Sequence, residues 1–154
     1  MKGTILYAEY DKGTGVSTVT KATKYGTFTR SVRVHPDDKD VANQYDGCLF
    51  AEMKCDIAAY QERAKFMRER AKGMDHMYNV LYATSKNRKE DMSEFALLYA
   101  DMVRQIIVAH KFAEDAFETV RILKEAYTAF VENTLQTRRE LQNRVVRKKK
   151  LFDI

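Results

Sequence analysis

The chain has 154 residues with a net charge of +5, and it contains only one proline and six glycines. So few turn-forming residues exclude turn-rich β folds, and the same composition excludes collagen-like and disulfide-scaffold proteins. The sequence has no run of about 18 apolar residues and no apolar core near its N-terminus, so we predict neither a membrane span nor a secretory leader. These features favour a cytosolic, mostly helical protein.

The N-terminal segment 1–36 contains the proline and four of the six glycines, and it predicts a three-stranded antiparallel β ribbon. The predicted strands span 4–10, 16–25 and 27–34. In the third strand Phe28, Val32 and Val34 alternate with polar residues, which is the period of a strand with one buried face. A ribbon this short is marginal alone, so we expect it to pack on another element.

The remaining sequence predicts two long helices joined by a short polar loop. Helix one is predicted over 37–84 with a candidate break at 46–47, and helix two over 91–149 with a candidate bend or break at 132–137. Acidic residues after Pro36 are expected to cap helix one, and Asp91 with Glu94 to form a capping box for helix two. Apolar residues recur every seven positions in each helix, as in Phe50, Ile57, Ala64, Ala71 and Tyr78, and in Tyr99, Ile106, Ala113, Val120 and Tyr127. Two such helices are expected to pack as an antiparallel, coiled-coil-like hairpin.

A second apolar surface lies near the start of helix one and consists of Cys48, Leu49, Ala51, Cys55, Ala58, Ala59 and Phe66. We expect this surface to receive the β ribbon, because a half-buried sheet needs a cover. The alternative is a self-association face, since helical hairpins can dimerise into four-helix bundles. The predicted fold class is therefore α+β and mostly α: a three-stranded ribbon packed on a two-helix hairpin with a basic helical tail, in a single domain over 1–154.

Positive charge is concentrated at the two ends of the sequence. Residues 1–36 and 132–154 each carry +4, and the residues between them are mildly acidic. An antiparallel hairpin places the ribbon and the tail at one pole, which is the electrostatic footprint of phosphate-backbone binding. The candidate binding residues are Lys12, Lys21, Lys24, Arg30, Arg33, Arg138, Arg139, Arg144, Arg147, Lys148, Lys149 and Lys150. The alternative interpretation is that these residues only complement the helix dipole and keep the protein soluble.

No pattern in the sequence predicts a catalytic residue, a metal site or a cofactor. Cys48 and Cys55 are seven residues apart, which is about 10.5 Å along a helix and too far for a disulfide, so unpaired thiols in a reducing compartment are expected. His110 and Glu114 share a helical face, but no further ligand accompanies them at metal-binding spacing. The glycines near Lys12 lack the lysine of a phosphate-binding loop.

Three functional hypotheses follow from these patterns. The first is a non-enzymatic binding protein whose basic pole engages the DNA or RNA backbone, or a nucleoprotein complex. The second is a small inhibitor or adaptor that blocks a nucleic-acid-handling complex, as small phage or mobile-element proteins do; its apolar C-terminus around Leu151 and Phe152 would suit a partner groove. The third is a structural helical-bundle homo-oligomer formed through the helix-two seam. No membrane partner is predicted.

Overall fold

A computed structural model describes residues 1–87 and 95–152 and contains a three-stranded sheet followed by two long helices. The elements are β1 Gly3–Asp11, β2 Val16–Thr23, β3 Gly26–Arg33, a 3₁₀ turn Pro36–Asp38, α1 Gln44–Asn87 and α2 Ala96–Phe152. This confirms the predicted fold class, α+β and mostly α. The chain forms two compact units, which we call the sheet unit (1–59 with 121–154) and the helical unit (60–120). Both long helices contribute to both units, and the single domain stays a prediction.

The sheet has the order β1-β2-β3 with antiparallel pairing throughout. The β1–β2 turn closes through the Gly15 N–H, which donates to the Asp11 carbonyl at 2.8 Å, and Gly15 has a φ of +68°, which glycine adopts without strain. The Thr14 hydroxyl, followed by the amides of Gly13 and Thr14, lowers the pKa of the Asp11 carboxyl. The β1–β2 register shifts between Ile5 and Tyr7, which is a bulge in the edge strand.

The central strand β2 presents its buried face to the first part of α1. The core cluster consists of Val19, Ala51 and Cys55, with Phe28, Val32 and Cys48 packed against it. The β ribbon therefore lies on the apolar surface that the sequence predicts for it. Phe66 does not belong to this contact, because its side chain is 64% exposed. Cys48 and Cys55 are both free thiols.

The start of α1 differs from the prediction. Residues 36–38 form only a single 3₁₀ turn, and α1 begins at Gln44 rather than at residue 37. The reason is an N-cap at Asn43, whose Oδ1 accepts the Asp46 N–H at 2.8 Å. The predicted break at 46–47 is therefore absent, because these residues form the first turn of α1.

The second helix has no break at the position where the sequence predicts a bend or a break. α2 runs without interruption through 132–137, and it reaches Phe152 rather than residue 149. Its predicted capping box at Asp91 and Glu94 lies outside the described residues.

The helical unit contains an antiparallel pair of helix segments with a small core. Ala64 of α1 packs with Ala116 and Val120 of α2, so the predicted seven-residue repeats face each other here. One flank of this pair is closed by the Arg68 guanidinium, 3.7 Å from the centre of the Phe117 ring. The same flank has His110 Nε2 2.5 Å from Asp75 Oδ2.

Gly47 gives a test of how closely α1 approaches β2. A Cβ at this position would overlap Ser17 Oγ and lie 3.0 Å from Ser17 Cβ. Helix propensity alone would make Gly47→Ala stabilising by about 1 kcal/mol. We expect the overlap to dominate and Gly47→Ala to lower the free energy of unfolding by about 1–3 kcal/mol in urea denaturation. Adding Ser17→Ala should recover part of the loss, and a more stable Gly47→Ala protein would contradict the packing.

Candidate nucleic-acid interface

Two arginines hold the final part of α2 against the start of α1 and against the 3₁₀ turn that precedes it. Arg138 donates from Nε to Asp46 Oδ2 at 2.9 Å and from Nη2 to Asp46 Oδ1 at 3.0 Å. Arg139 pairs with Asp38, in the 3₁₀ turn. We call these two pairs the anchor. Both arginines were predicted to bind a partner, and both have intramolecular carboxylate partners.

The Arg138–Asp46 pair is the better buried half of the anchor. The Asp46 side chain is only 6% exposed and also accepts from Asn43 Nδ2 at 2.9 Å. The hydrogen bonds that Arg138 donates to Asp46, reinforced by the negative charge of Asp46, raise the pKa of the Arg138 guanidinium. A bidentate contact of this kind fixes the orientation of the guanidinium relative to the carboxylate as well as the distance between them. The sequence signal that we missed is Asp46 itself, three residues after a capping asparagine.

Beyond the anchor, α2 continues as an exposed basic segment, residues 141–152. This segment contains no acidic residue. Its five cations are Arg144, Arg147, Lys148, Lys149 and Lys150, all of them exposed. The part of the chain that the structure describes supplies no carboxylate partner to them. Five unpaired charges on consecutive helical turns create a strongly positive local field.

One end of the sheet lies beside the anchor. Val16 pairs with Arg33 across β2 and β3, and the Val34 N–H donates to the Gly15 carbonyl at 3.0 Å. Arg33 and Val34 line a cavity of about 170 Å³ together with Asp46 of α1 and with Val131 and Leu135 of α2. Arg33, and Lys12 in the adjacent β1–β2 turn, therefore lie at the end of the sheet from which α2 continues as the basic segment.

The other two exposed cations of the sheet do not join this end. Lys24 is in the β2–β3 turn, about 23 Å away along the strands at the usual rise per residue. Arg30 lies midway along β3, with its guanidinium 6.0 Å from the centre of the Phe28 ring. The structure thus places Lys12 and Arg33 at the end of the sheet beyond which α2 continues as the basic segment, and we call these residues together the basic end. Lys24 and Arg30 lie apart from it.

Lys21 is a buried structural residue rather than a surface cation. Its Nζ lies 2.8 Å from Glu52 Oε1 and 2.9 Å from Asp56 Oδ1, and its side chain is 5% exposed. Burial alone would lower the pKa of Lys21, but the two carboxylates outweigh burial and raise it. The sequence carries a signal for this placement, because Lys21 alternates with Ser17 and Val19 on the buried face of β2.

The basic end presents exposed positive charge from Lys12, Arg33 and the basic segment. Within residues 1–87 and 95–152, no group of three histidine, cysteine or acidic side chains is arranged to hold a metal ion. None of the described helices is long and apolar enough to cross a membrane.

No protein-family model matches the chain, and neither a curated protein nor a solved structure is significantly similar to it.

Proposed function

We propose that this protein binds the phosphate backbone of nucleic acids through the basic end. The observation that carries the proposal is the exposed basic segment, whose five cations have no carboxylate partner among the described residues. Arg138 and Arg139, which precede the segment, already pair with Asp46 and Asp38 in the anchor. Cations held on a helix make phosphate contacts at a small further cost in side-chain ordering, and they release counterions from the nucleic acid.

The distribution of charge supports backbone contact rather than base recognition. Arg147 and Lys148 lie three and four residues after Arg144 and share its side of the helix, whereas Lys149 and Lys150 point to other sides. Lys12 and Arg33 add positive charge at the neighbouring end of the sheet. Cations spread around a helix suit phosphates on both walls of a groove, and we expect no sequence preference.

A second candidate function is favoured by apolar side chains within the same segment. Leu141, Val145 and Val146 are each about half exposed, and Leu141 and Val145 share one helical face. A basic helix with an apolar face also fits an acidic, apolar groove on a protein. This supports the inhibitor or adaptor hypothesis, in which the segment occupies the nucleic-acid channel of another protein.

The test is binding of the full chain to labelled duplex DNA, duplex RNA and single strands, measured by fluorescence anisotropy over a salt series. We expect the affinity to fall steeply with salt. Replacing all five cations of the basic segment by glutamine should weaken binding at least about tenfold and flatten the salt dependence by up to about four or five counterions.

A matched control removes the same charge elsewhere. Its five exposed lysines are Lys65, Lys72, Lys86, Lys111 and Lys124, each replaced by glutamine. Both variants have zero net charge, so a difference in affinity between them does not come from net charge. An equal loss of nucleic-acid affinity in the two variants would contradict a site at the basic end. If none of the nucleic acids binds at low salt, the proposal fails and the inhibitor or adaptor hypothesis takes its place.

A further inference from the structure

A small cavity lies inside the sheet unit, between the sheet, the start of α1 and α2. It is the cavity of about 170 Å³ that Arg33 and Val34 line at one end of the sheet. Arg33 and His35 are both exposed and lie where the cavity meets solvent. The remaining wall is largely apolar and consists of Val32, Val34, Ala42, Phe50, Val131 and Leu135. The cavity is therefore an apolar space that solvent can reach from one side.

One polar atom in the wall of this cavity has no hydrogen-bond partner. Ser17 lines the cavity from the central strand and is 1% exposed. Its Oγ neither donates nor accepts a hydrogen bond among the residues that the structure describes. A buried hydroxyl without a partner is unfavourable, and such groups are rare in folded proteins. An occupant of the cavity that forms a hydrogen bond with Ser17 Oγ would remove this cost.

The polar side chains next to Ser17 already have partners. Both carboxylate oxygens of Asp46 accept from Arg138, and one of them also accepts from Asn43 Nδ2. The Asn43 Oδ1 accepts the Asp46 N–H. A buried water needs two to four polar partners, and these side chains leave Ser17 as the unpaired one. This arrangement favours an occupant that is mainly apolar and carries one hydrogen-bonding group.

The charges around the cavity favour a neutral occupant. Asp38 and Asp46 both line it, and each carboxylate is paired with an arginine of the anchor. An anionic group in the cavity would lie near these two carboxylates, and a cationic group would lie near the anchor arginines and Arg33. A charged group would also lose hydration in an apolar space.

The volume of the cavity matches one aromatic ring, because dry apolar cavities of about 150 Å³ in proteins bind benzene. We propose that this cavity binds a neutral, single-ring aromatic molecule that carries a hydroxyl group. The ring packs on Phe50, Val131 and Leu135, and the hydroxyl forms a hydrogen bond with Ser17 Oγ. A serine hydroxyl suits this group because it can both donate and accept.

The test is a titration of the full chain with phenol, followed by two-dimensional amide NMR. We expect saturable shifts at the amides of Val32 and Gly47, with a dissociation constant of about 1 mM or below. Ser17→Ala should weaken phenol binding at least about fivefold, because it removes the hydrogen-bond partner. Toluene has as many non-hydrogen atoms as phenol but no hydroxyl, so Ser17→Ala should change its affinity by less than about twofold.

A second pair of variants tests where the probes bind. Leu135→Phe places a larger side chain in the cavity wall and should weaken the binding of both phenol and toluene at least about tenfold. Ile122→Phe is the matched control, because Ile122 is on the same helix and 52% exposed but does not line the cavity. It should change both affinities by less than about twofold. Circular dichroism shows whether each variant keeps its helical content.

Three results would overturn the proposal. The first is the absence of saturable phenol binding, which would mean that the cavity holds water only. The second is phenol binding that Ser17→Ala leaves unchanged, and the third is an effect of Ile122→Phe as large as that of Leu135→Phe. The titration uses no nucleic acid, so this proposal and the proposed function can fail separately.

Discussion

Replacing Lys21 by alanine is expected to lower the free energy of unfolding by about 2–4 kcal/mol. The side chain is 5% exposed and neutralises Glu52 and Asp56 beneath the central strand. Without it, two carboxylates remain close together, with only the N-terminal ammonium of Met1 near Asp56. We place the loss below that of a fully buried pair because both carboxylates keep some contact with water. Urea denaturation gives the value, and Lys24→Ala, at an exposed position, should change it by less than about 0.5 kcal/mol.

Two further measurements test whether the loss of stability in Lys21→Ala comes from the two carboxylates that lose their partner. The variant Lys21→Met/Glu52→Gln/Asp56→Asn removes the whole charge cluster and should regain most of the lost stability. The pKa of Lys21 is raised in the folded state above its ordinary 10.5, so its contribution is complete below that pH and disappears as the pH rises through the raised value. Wild type should therefore lose stability in strong alkali more steeply than the triple variant. A loss for Lys21→Ala as small as that for Lys24→Ala would contradict a structural role.

Arg138→Ala is expected to lower the free energy of unfolding by about 2–4 kcal/mol, more than Asp46→Ala does. The two changes are unequal because the partners differ in exposure: the Asp46 side chain is 6% exposed and that of Arg138 is 41% exposed. Removing the arginine leaves a buried carboxylate whose remaining hydrogen bond, among the described residues, is the one that it accepts from Asn43 Nδ2. Removing the aspartate leaves a guanidinium that water can reach, and the expected loss is about 1–2 kcal/mol.

Urea denaturation of the two single variants and the double variant forms the complete cycle. The double variant should be no less stable than Arg138→Ala alone, because it no longer contains the unpaired, buried Asp46 carboxylate. Arg144→Ala, a few residues beyond the anchor, serves as the control and should have little effect. Additive losses from Arg138→Ala and Asp46→Ala would contradict direct coupling between α2 and the start of α1.

Local patterns in the sequence predicted most of the fold. Alternation identified β3, and seven-residue repeats identified the facing rows of the helices, because both patterns record which side of an element is buried. The beginning of α1 was mispredicted because several acidic residues after Pro36 can cap a helix, and only tertiary contacts select Asn43. The single-domain prediction stays open for a related reason, since the two compact units share both helices and no linker separates them in sequence.

The candidate site was predictable in part. Composition located the excess charge, and helix direction placed the basic segment beside one end of the sheet. Which cations remain free to bind a partner depends on ion pairs between residues distant in sequence. Asp38 pairs with Arg139, and Asp46 pairs with Arg138. Glu52 and Asp56 both pair with Lys21. Sequence spacing does not report such pairs, so a list based on residue type included cations that the fold uses internally.

The bulge in β1 has a consequence for how the protein behaves when concentrated. β1 is an edge strand with exposed Ile5, Leu6 and Tyr7, and a long apolar edge is a template for uncontrolled strand addition and fibril growth. The register shift between Ile5 and Tyr7 interrupts the regular row of amides and carbonyls that an incoming strand would need. We therefore expect this irregularity to hinder aggregation along the most apolar strand of the sheet.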